Sequence, residues 1–299
     1  MTSPLENETD TINHSMYYKD DSFKHMLNCT SIEIGILNLN CRSLRSIFDQ
    51  LKIFLADIDY RSQITCITLQ ETWFKDEVDL DYYTLPGYTL LSDCYRISAH
   101  GGVAIYVHND FSFKRLDIYN TSAVYENISI ELWRNNKIGT KYLISSIYRP
   151  PRNLVESLTT FINEFSDYLN HVEQIYRKAY ICGDTNINLL SIHENIHYNT
   201  FYENVTMHGF MPQITLPTRL SDTCDTLIDN IFTNNFERSH TNCVLTRKMS
   251  DHQMTCCFLS KNNNCTNRVG NSFVEVEKIN DVTLRNLQTE LIETIFMKS

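Results

Sequence analysis

Six short stretches place polar side chains where apolar runs begin or end. They are Asn38 and Asn40 in LNLN, Gln70 and Glu71 in LQETW, Tyr148 in SSIYRPP, Asp184 and Asn186 in CGDTNINL, Asp229 in TLIDNIFTN, and Asp251 with His252 in MSDHQM. Carboxylates, amides, a phenol and an imidazole on one rim are the parts that phosphodiester hydrolysis needs. That reaction requires a cation to offset developing charge, a base or orienting group for the attacking water, and a donor for the phosphoryl oxygens. Magnesium takes oxygen ligands and commonly uses one or two carboxylates plus water, which suits Glu71 with Asp251 or a neighbour. The expectation is a single site at which separate strand ends converge.

Each stretch also has a plainer reading. Asp and Asn favour turns through local hydrogen bonds, so a GD or SDH string alone marks a surface turn, and Asn38 and Asn40 could simply turn the chain after a strand. Glu71 and Asp229 follow or interrupt apolar strands, where an unpaired carboxylate is costly, so a structural ion pair is the alternative for each. Tyr148 alone could be a strand aromatic, and Arg149 and Arg152 a solvated helix entrance. HENIH, His193 to His197, matches the H-E-x-x-H pattern of zinc proteases. That chemistry needs both histidines on one helix face and a third ligand farther along the chain. The string closely follows the GDTNINLL loop, and no third ligand is evident.

The elements that must position these residues read as a mixture. Ile32 to Leu39 is an apolar, β-branched run consistent with a buried strand, and Leu44, Ile47, Phe48, Leu51 and Leu55 then repeat at helical spacing. Further strands fit Ile64 to Leu69, Val103 to Val107, Ile128 to Leu132, Tyr142 to Ile147, Ala179 to Cys182, Leu227 to Phe232 and Met254 to Leu259. A second amphipathic helix fits Leu154, Leu158, Phe161, Ile162, Phe165 and Leu169. Many strands with few helices favour a mixed, layered α/β architecture over a strictly alternating parallel sheet. Residues 1 to 30 are expected to be a flexible lead segment, 31 to 260 the folded domain, and 261 to 299 an Asn-rich linker with a short helix through Leu284, Leu287, Leu291 and Ile295.

Composition narrows the class. A hydrophobic content of 42%, with 17 Tyr and 15 Phe, supports a sizeable core. The net charge of −10 argues against a passive nucleic-acid coat, which depends on Lys and Arg neutralising phosphates, yet leaves room for a carboxylate-rich metal site with a local basic rim. Ten scattered cysteines without a C-x-x-C pair read as buried thiols. No run is long and apolar enough to span a bilayer and the N-terminus lacks the pattern of a signal peptide, so a soluble intracellular protein is expected.

In order and spacing, LNLN, QET, IYRPP, GDTN, LIDNIFTN and SDH resemble the motif series of the endonuclease/exonuclease/phosphatase superfamily. Tyr148 stands where apurinic endonucleases and LINE-type endonucleases place a tyrosine and pancreatic-type DNases a histidine. GGVAIYV (Gly101 to Val107), YRPP, and PTR followed by TLIDNIFTN resemble the endonuclease domain of non-LTR (LINE-type) retrotransposons. The resemblance implies a DNase I-like α/β fold, a two-sheet sandwich with outer helices. It implies a Mg²⁺-dependent endonuclease, with Mn²⁺ as an alternative cation, nicking one strand of double-stranded DNA to leave a 3′-hydroxyl. In such an element that end primes reverse transcription, so a reverse transcriptase region would be the partner within a larger protein, and the location would be nuclear during action on DNA.

Position by position, the resemblance implies that Glu71 binds Mg²⁺, Asn38 and Asn40 hold the metal site, and Asp251 adds a carboxylate. Asp184 would act on the attacking water and Asn186 would orient the water or the phosphate. His252, held by Asp229, would donate to the scissile phosphate, and Tyr148 would contact the same group. Arg149, Arg152 and Arg219 would touch the DNA backbone. Two departures weigh against a repair enzyme: Thr185 replaces the usual aromatic of GDFN, and Pro151 stands where a phosphate-binding asparagine is common and offers no side-chain donor. An apurinic-site endonuclease or other phosphodiesterase of the same fold stays open, as does a copy that binds DNA or a partner without cutting.

Overall fold

A computed structural model describes residues 15–261 apart from 59–62, 75–79, 93–99, 119–121, 136–138, 152–154 and 222–223. The chain runs β1 (Met16–Tyr18), α1 (Asp20–Cys29), β2 (Ile32–Asn40), α2 (Leu44–Asp57), β3 (Cys66–Gln70), β4 (Tyr88–Ser92), β5 (Val103–His108) and β6 (Phe111–Leu116). It continues through β7 (Glu126–Arg134), β8 (Tyr142–Tyr148), α3 (Val155–Ile175), β9 (Ala179–Asp184), α4 (Ile196–Met207), β10 (Met211–Pro212), β11 (Asp229–Thr233), β12 (His240–Leu245) and β13 (Met254–Ser260). One sheet has the order β1-β12-β13-β2-β3-β5-β4 and the other β10-β11-β9-β8-β7-β6. Both are mixed: β2–β3 and β8–β9 pair in parallel, while β13–β2 and β9–β11 are antiparallel. This is the expected two-sheet sandwich with outer helices.

The two-residue period of a strand sorts the side chains into layers. On β2, Ile34 and Ile36 fill the space between the sheets, while Leu37 and Leu39 join the outer core beneath α1 and α2. On β9, Tyr180 and Cys182 point inward, and Ile181 joins the core under α3 and α4. The inward parity then carries Asn38 and Asn40 on β2, Thr68 and Gln70 on β3, Ser146 and Tyr148 on β8, Asp184 on β9 and Asp229 on β11. Along each strand the inward face thus changes from aliphatic to polar at the same end of the sandwich. Register keeps these ends level: Asn40 pairs with Gln70, Tyr148 with Asp184, and Asp229 with Asp184.

One expectation needs correction, and one rival reading falls away. Residues 16–29, read as part of a flexible lead, form β1 and α1: β1 pairs in parallel with β12, and Phe23, Met26 and Leu27 are buried on the outer face of the first sheet. Phe23 lies 6.1 Å from Phe54 and 5.9 Å from Phe258. The i, i+3, i+4 spacing of these three side chains is a helical signal, hidden in a mostly polar stretch. HENIH does not form a zinc site: α4 starts at Ile196 with Asn195 as its N-cap, accepting from the His197 and Tyr198 amides. His193 therefore precedes the helix that carries His197, and the two cannot share its face. The expected helix at 284–295 lies outside the described residues.

Candidate active site

The polar ends of both sheets and the loops that follow them line one cleft of about 440 Å³, bounded by Glu71, Tyr148, Asp184, Asn186, Arg219 and His252, with Arg42, Trp73, His100, Pro150 and Pro151. Asn40 joins the two sheets at its floor. Its Nδ2 donates to Glu71 Oε1 and to Asp184 Oδ2, each at 2.8 Å, so one buried amide spans two carboxylates. Asn38 lies one inward step deeper. Its Oδ1 accepts from Thr68 Oγ1 and Gln70 Nε2 at 2.9 Å, and its Nδ2 donates to Thr255 Oγ1 at 3.2 Å. Gln70 reaches on to Ser146 Oγ of the other sheet at 2.9 Å. Asn38, like Asn40 and Asp229, supports the cleft from beneath and is absent from its lining.

Asp184 ends β9 and turns into a loop whose Asn186 has φ +50°, a conformation that Asn tolerates better than most residues. Asp184 Oδ1 caps that turn by accepting from the Asn186 amide at 2.8 Å, and Asn186 Nδ2 donates to the Arg149 carbonyl at 2.8 Å. Burial, followed by the nearby charge of Asp229, raises the Asp184 carboxyl to about 7 against the opposing pull of His252.

His252 follows β12 and faces β11. Its Nδ1 lies 2.9 Å from Asp229 Oδ2 and 3.1 Å from Oδ1, and Thr218 Oγ1 donates to the same Oδ2 at 2.7 Å. Burial works against the imidazolium, yet Asp229, and after it Asp184 and Asp251, hold the ring up to about 9. Nδ1 is thus occupied, leaving Nε2 as the nitrogen for the cleft. Burial, Glu71 and Asp184 keep the Tyr148 phenol protonated.

Asp184, Asp229 and His252 could place ligand atoms within 4.8 Å of one another. The same three side chains can also do acid–base work, with the protonated His252 as a donor and the raised Asp184 as a proton acceptor. Glu71 adds further oxygen donors, linked to Asp184 through the Asn40 amide.

The remaining candidates take different places. Asp251 Oδ2 accepts from Arg42 Nη1 at 2.7 Å and Arg219 Nη2 at 2.9 Å, while its Oδ1 is buried without a protein partner. Arg219 is thereby brought to the rim. Arg149 is buried, donates through Nη1 to the Thr185 carbonyl at 3.1 Å and rests over the Phe161 ring, which ties it to the loop behind the cleft. Arg152 lies outside the described residues. Arg42, Trp73, His100 and Thr218 were not singled out from sequence. The W of LQETW, the R after LNLNC and the T of PTR were the signals on hand.

The endonuclease/exonuclease/phosphatase family profile matches residues 37–252. No curated protein sequence matches the chain. Among solved structures, the endonuclease domain of TRAS1, a telomere-specific non-LTR retrotransposon, is similar with a TM-score of 0.56 at 13% identity, covering 76% of this chain and 98% of its own. The AP endonuclease LMAP from Leishmania major gives 0.58 at 13% identity, with 76% and 87% coverage. The Xenopus laevis APE2 catalytic domain gives 0.56 at 17% identity, with 77% and 94% coverage. At these identities the likeness is one of fold. With the profile spanning the strands that carry the cleft from β2 to the loop before β13, the chain belongs to the endonuclease/exonuclease/phosphatase family.

Proposed function

We propose that the chain is a Mg²⁺-dependent endonuclease that hydrolyses a DNA phosphodiester bond, nicking one strand and leaving a 3′-hydroxyl, as in target-site cleavage by a LINE-type retrotransposon. The observation that carries this reading is the Asn40 bridge, which sets Glu71 and Asp184 side by side next to the His252–Asp229 pair. The family likeness and the TRAS1 fold match support it.

The donor chemistry fits a hard divalent cation. Glu71 and Asp184 offer carboxylate oxygens, whereas the adjacent thiol, Cys41, is turned to the Gln70 and Glu71 carbonyls and kept protonated by burial. Glu71 would hold the cation beside Asp184 and Asn40. Bound there, the cation would offset charge growing on the phosphoryl oxygens.

The chain's own residues supply the rest. Asp184, with its carboxyl near neutrality, takes the proton of the attacking water, and Asn186 orients the water or phosphate. His252 donates from Nε2 to the scissile phosphate while Asp229 fixes its ring, and Tyr148 donates to the same group. Arg219 and Arg42 meet the DNA backbone at the rim, held there by Asp251 Oδ2, while Asp251 Oδ1 is left for the cation.

Supercoiled plasmid tests the proposal. In Mg²⁺ or Mn²⁺ the wild type is expected to produce open circles with an extendable 3′ end, and chelation to stop it. Glu71→Ala, Asp184→Ala and His252→Ala are each expected to slow nicking by about 100-fold or more. Equal nicking by all four proteins would sink the assignment. A strong preference for abasic over intact duplex would move it to an apurinic-site enzyme, and cation-independent binding without cleavage to a binding-only copy.

A further inference from the structure

Glu71 leaves the first sheet through a turn that non-glycine residues rarely adopt: Glu71 has φ +52° and Trp73 +54°. Such a conformation persists only where its surroundings over-determine it. From one side, the Ser43 and Leu44 amides at the start of α2 donate to the Glu71 and Thr72 carbonyls at 2.8 and 3.1 Å. From the other, the Thr72 and Trp73 amides donate to the carbonyls of Gly102 and Gly101 at 3.1 and 3.0 Å. Those glycines are themselves pinned by Glu126, the buried first residue of β7, whose Oε2 accepts from the Gly102 amide. A Cβ on Gly101 would fall 2.2 Å from Glu126 Oε1, so the carboxylate occupies the space a side chain would need.

The circuit closes on the site. Trp73 Nε1 donates to Glu71 Oε2 at 3.2 Å, while Asn40 holds Oε1 at 2.8 Å, so both oxygens of the carboxylate are fixed. His100 packs edge-on against the indole with ring centroids 4.7 Å apart. An indole present only for packing would need no donor contact to a carboxylate, and Glu126 is buried with its carboxylate filling the space beside Gly101 and accepting from the Gly102 amide.

We infer that Trp73 and Glu126 are positioning residues for Glu71: Trp73 sets the rotation of its carboxylate, and Glu126 sets Trp73 through Gly101 and Gly102. The inference rests on the metal-dependent reading above, because the group positioned is the one that would hold the cation. Partners that orient a ligating group typically change metal affinity by about 10- to 100-fold when removed.

Calorimetric titration of the full chain with Mn²⁺, without DNA, tests it. Trp73→Phe keeps the ring and removes the indole donor, and is expected to weaken binding by about tenfold or more. Glu126→Gln retains an oxygen acceptor for Gly102 and is expected to bind close to wild type, whereas Glu126→Ala weakens binding as Trp73→Phe does. A second readout does not depend on any site variant folding. The chain has two tryptophans, so in a Trp133→Phe background the emission of Trp73 is expected to change with added Mg²⁺ and to saturate with occupancy. A wild type that takes up neither cation would overturn this inference and the proposed function together. Wild-type uptake with unchanged affinity in Trp73→Phe, or Trp73 emission blind to Mg²⁺, would overturn the inference alone.

Discussion

Asp184 illustrates how the site trades against the fold. Burial and the neighbouring Asp229 raise its carboxyl to about 7, whereas an unfolded aspartate titrates near 3.9, a typical value. The folded state therefore binds this proton more tightly. The resulting stability is complete below about pH 3.9 and is lost as pH rises through about 7. Asp184→Asn is thus expected to melt above wild type at pH 8 and level with it near pH 4, while losing nicking. Melting curves across that range check the sign, and a variant less stable at pH 8 would contradict it. His252 moves in the same sense for a different reason: its folded value, held up to about 9 by carboxylates that outweigh burial, gives stability present below about pH 6.5 and lost as pH passes about 9.

The strands deliver these residues, and one of them does so at close quarters. Gly183 on β9 has φ +153°, and a Cβ there would lie 1.9 Å from the Ile147 carbonyl oxygen of β8. Gly183→Ala is expected to cost more than about 2 kcal/mol in urea unfolding. It should also slow nicking, since Asp184 is the next residue; an unchanged urea midpoint would show that β8 and β9 can part without penalty. The strand part of the site was legible in sequence because an aliphatic inward face gives way to a polar residue at Asn38, Gln70, Tyr148 and Asp184. What lay on loops was not. Trp73 and His100 reach the cleft, and Thr218 reaches Asp229 behind it, along paths set by positive-φ turns and by amides bonding to distant carbonyls, which no local spacing records. The family resemblance implies that Asp251 adds a carboxylate, and only the folded chain reveals that Arg42 and Arg219 converge on its Oδ2. The strands β4 and β6 mix exposed and buried positions without clean alternation, and α4 hides Phe201, Tyr202 and Val205 among polar neighbours.

At the scale of the molecule, the first sheet is built from both ends of the chain and the second from its middle. The N-terminal addition of β1 and α1 belongs to that economy. A chain lacking residues 1–30 uncovers the seats of Phe23, Met26 and Leu27 and bares the β12 edge. At about 1.5–3 kcal/mol per buried apolar side chain, the loss for these three is at most about 9 kcal/mol, an upper estimate. Urea midpoints of the full and shortened chains measure it, and coincident midpoints would reduce α1 to decoration. The position of β13 has a different consequence. The last described strand is not an edge but sits between β12 and β2, so during translation the first sheet keeps a gap beside β2 until residue 260 has emerged from the ribosome. A message cut short before that point yields a polypeptide that has every carboxylate of the cleft up to Asp229 yet cannot close around them. Premature stops in such a gene are therefore read as unfolded protein rather than as weakened enzyme.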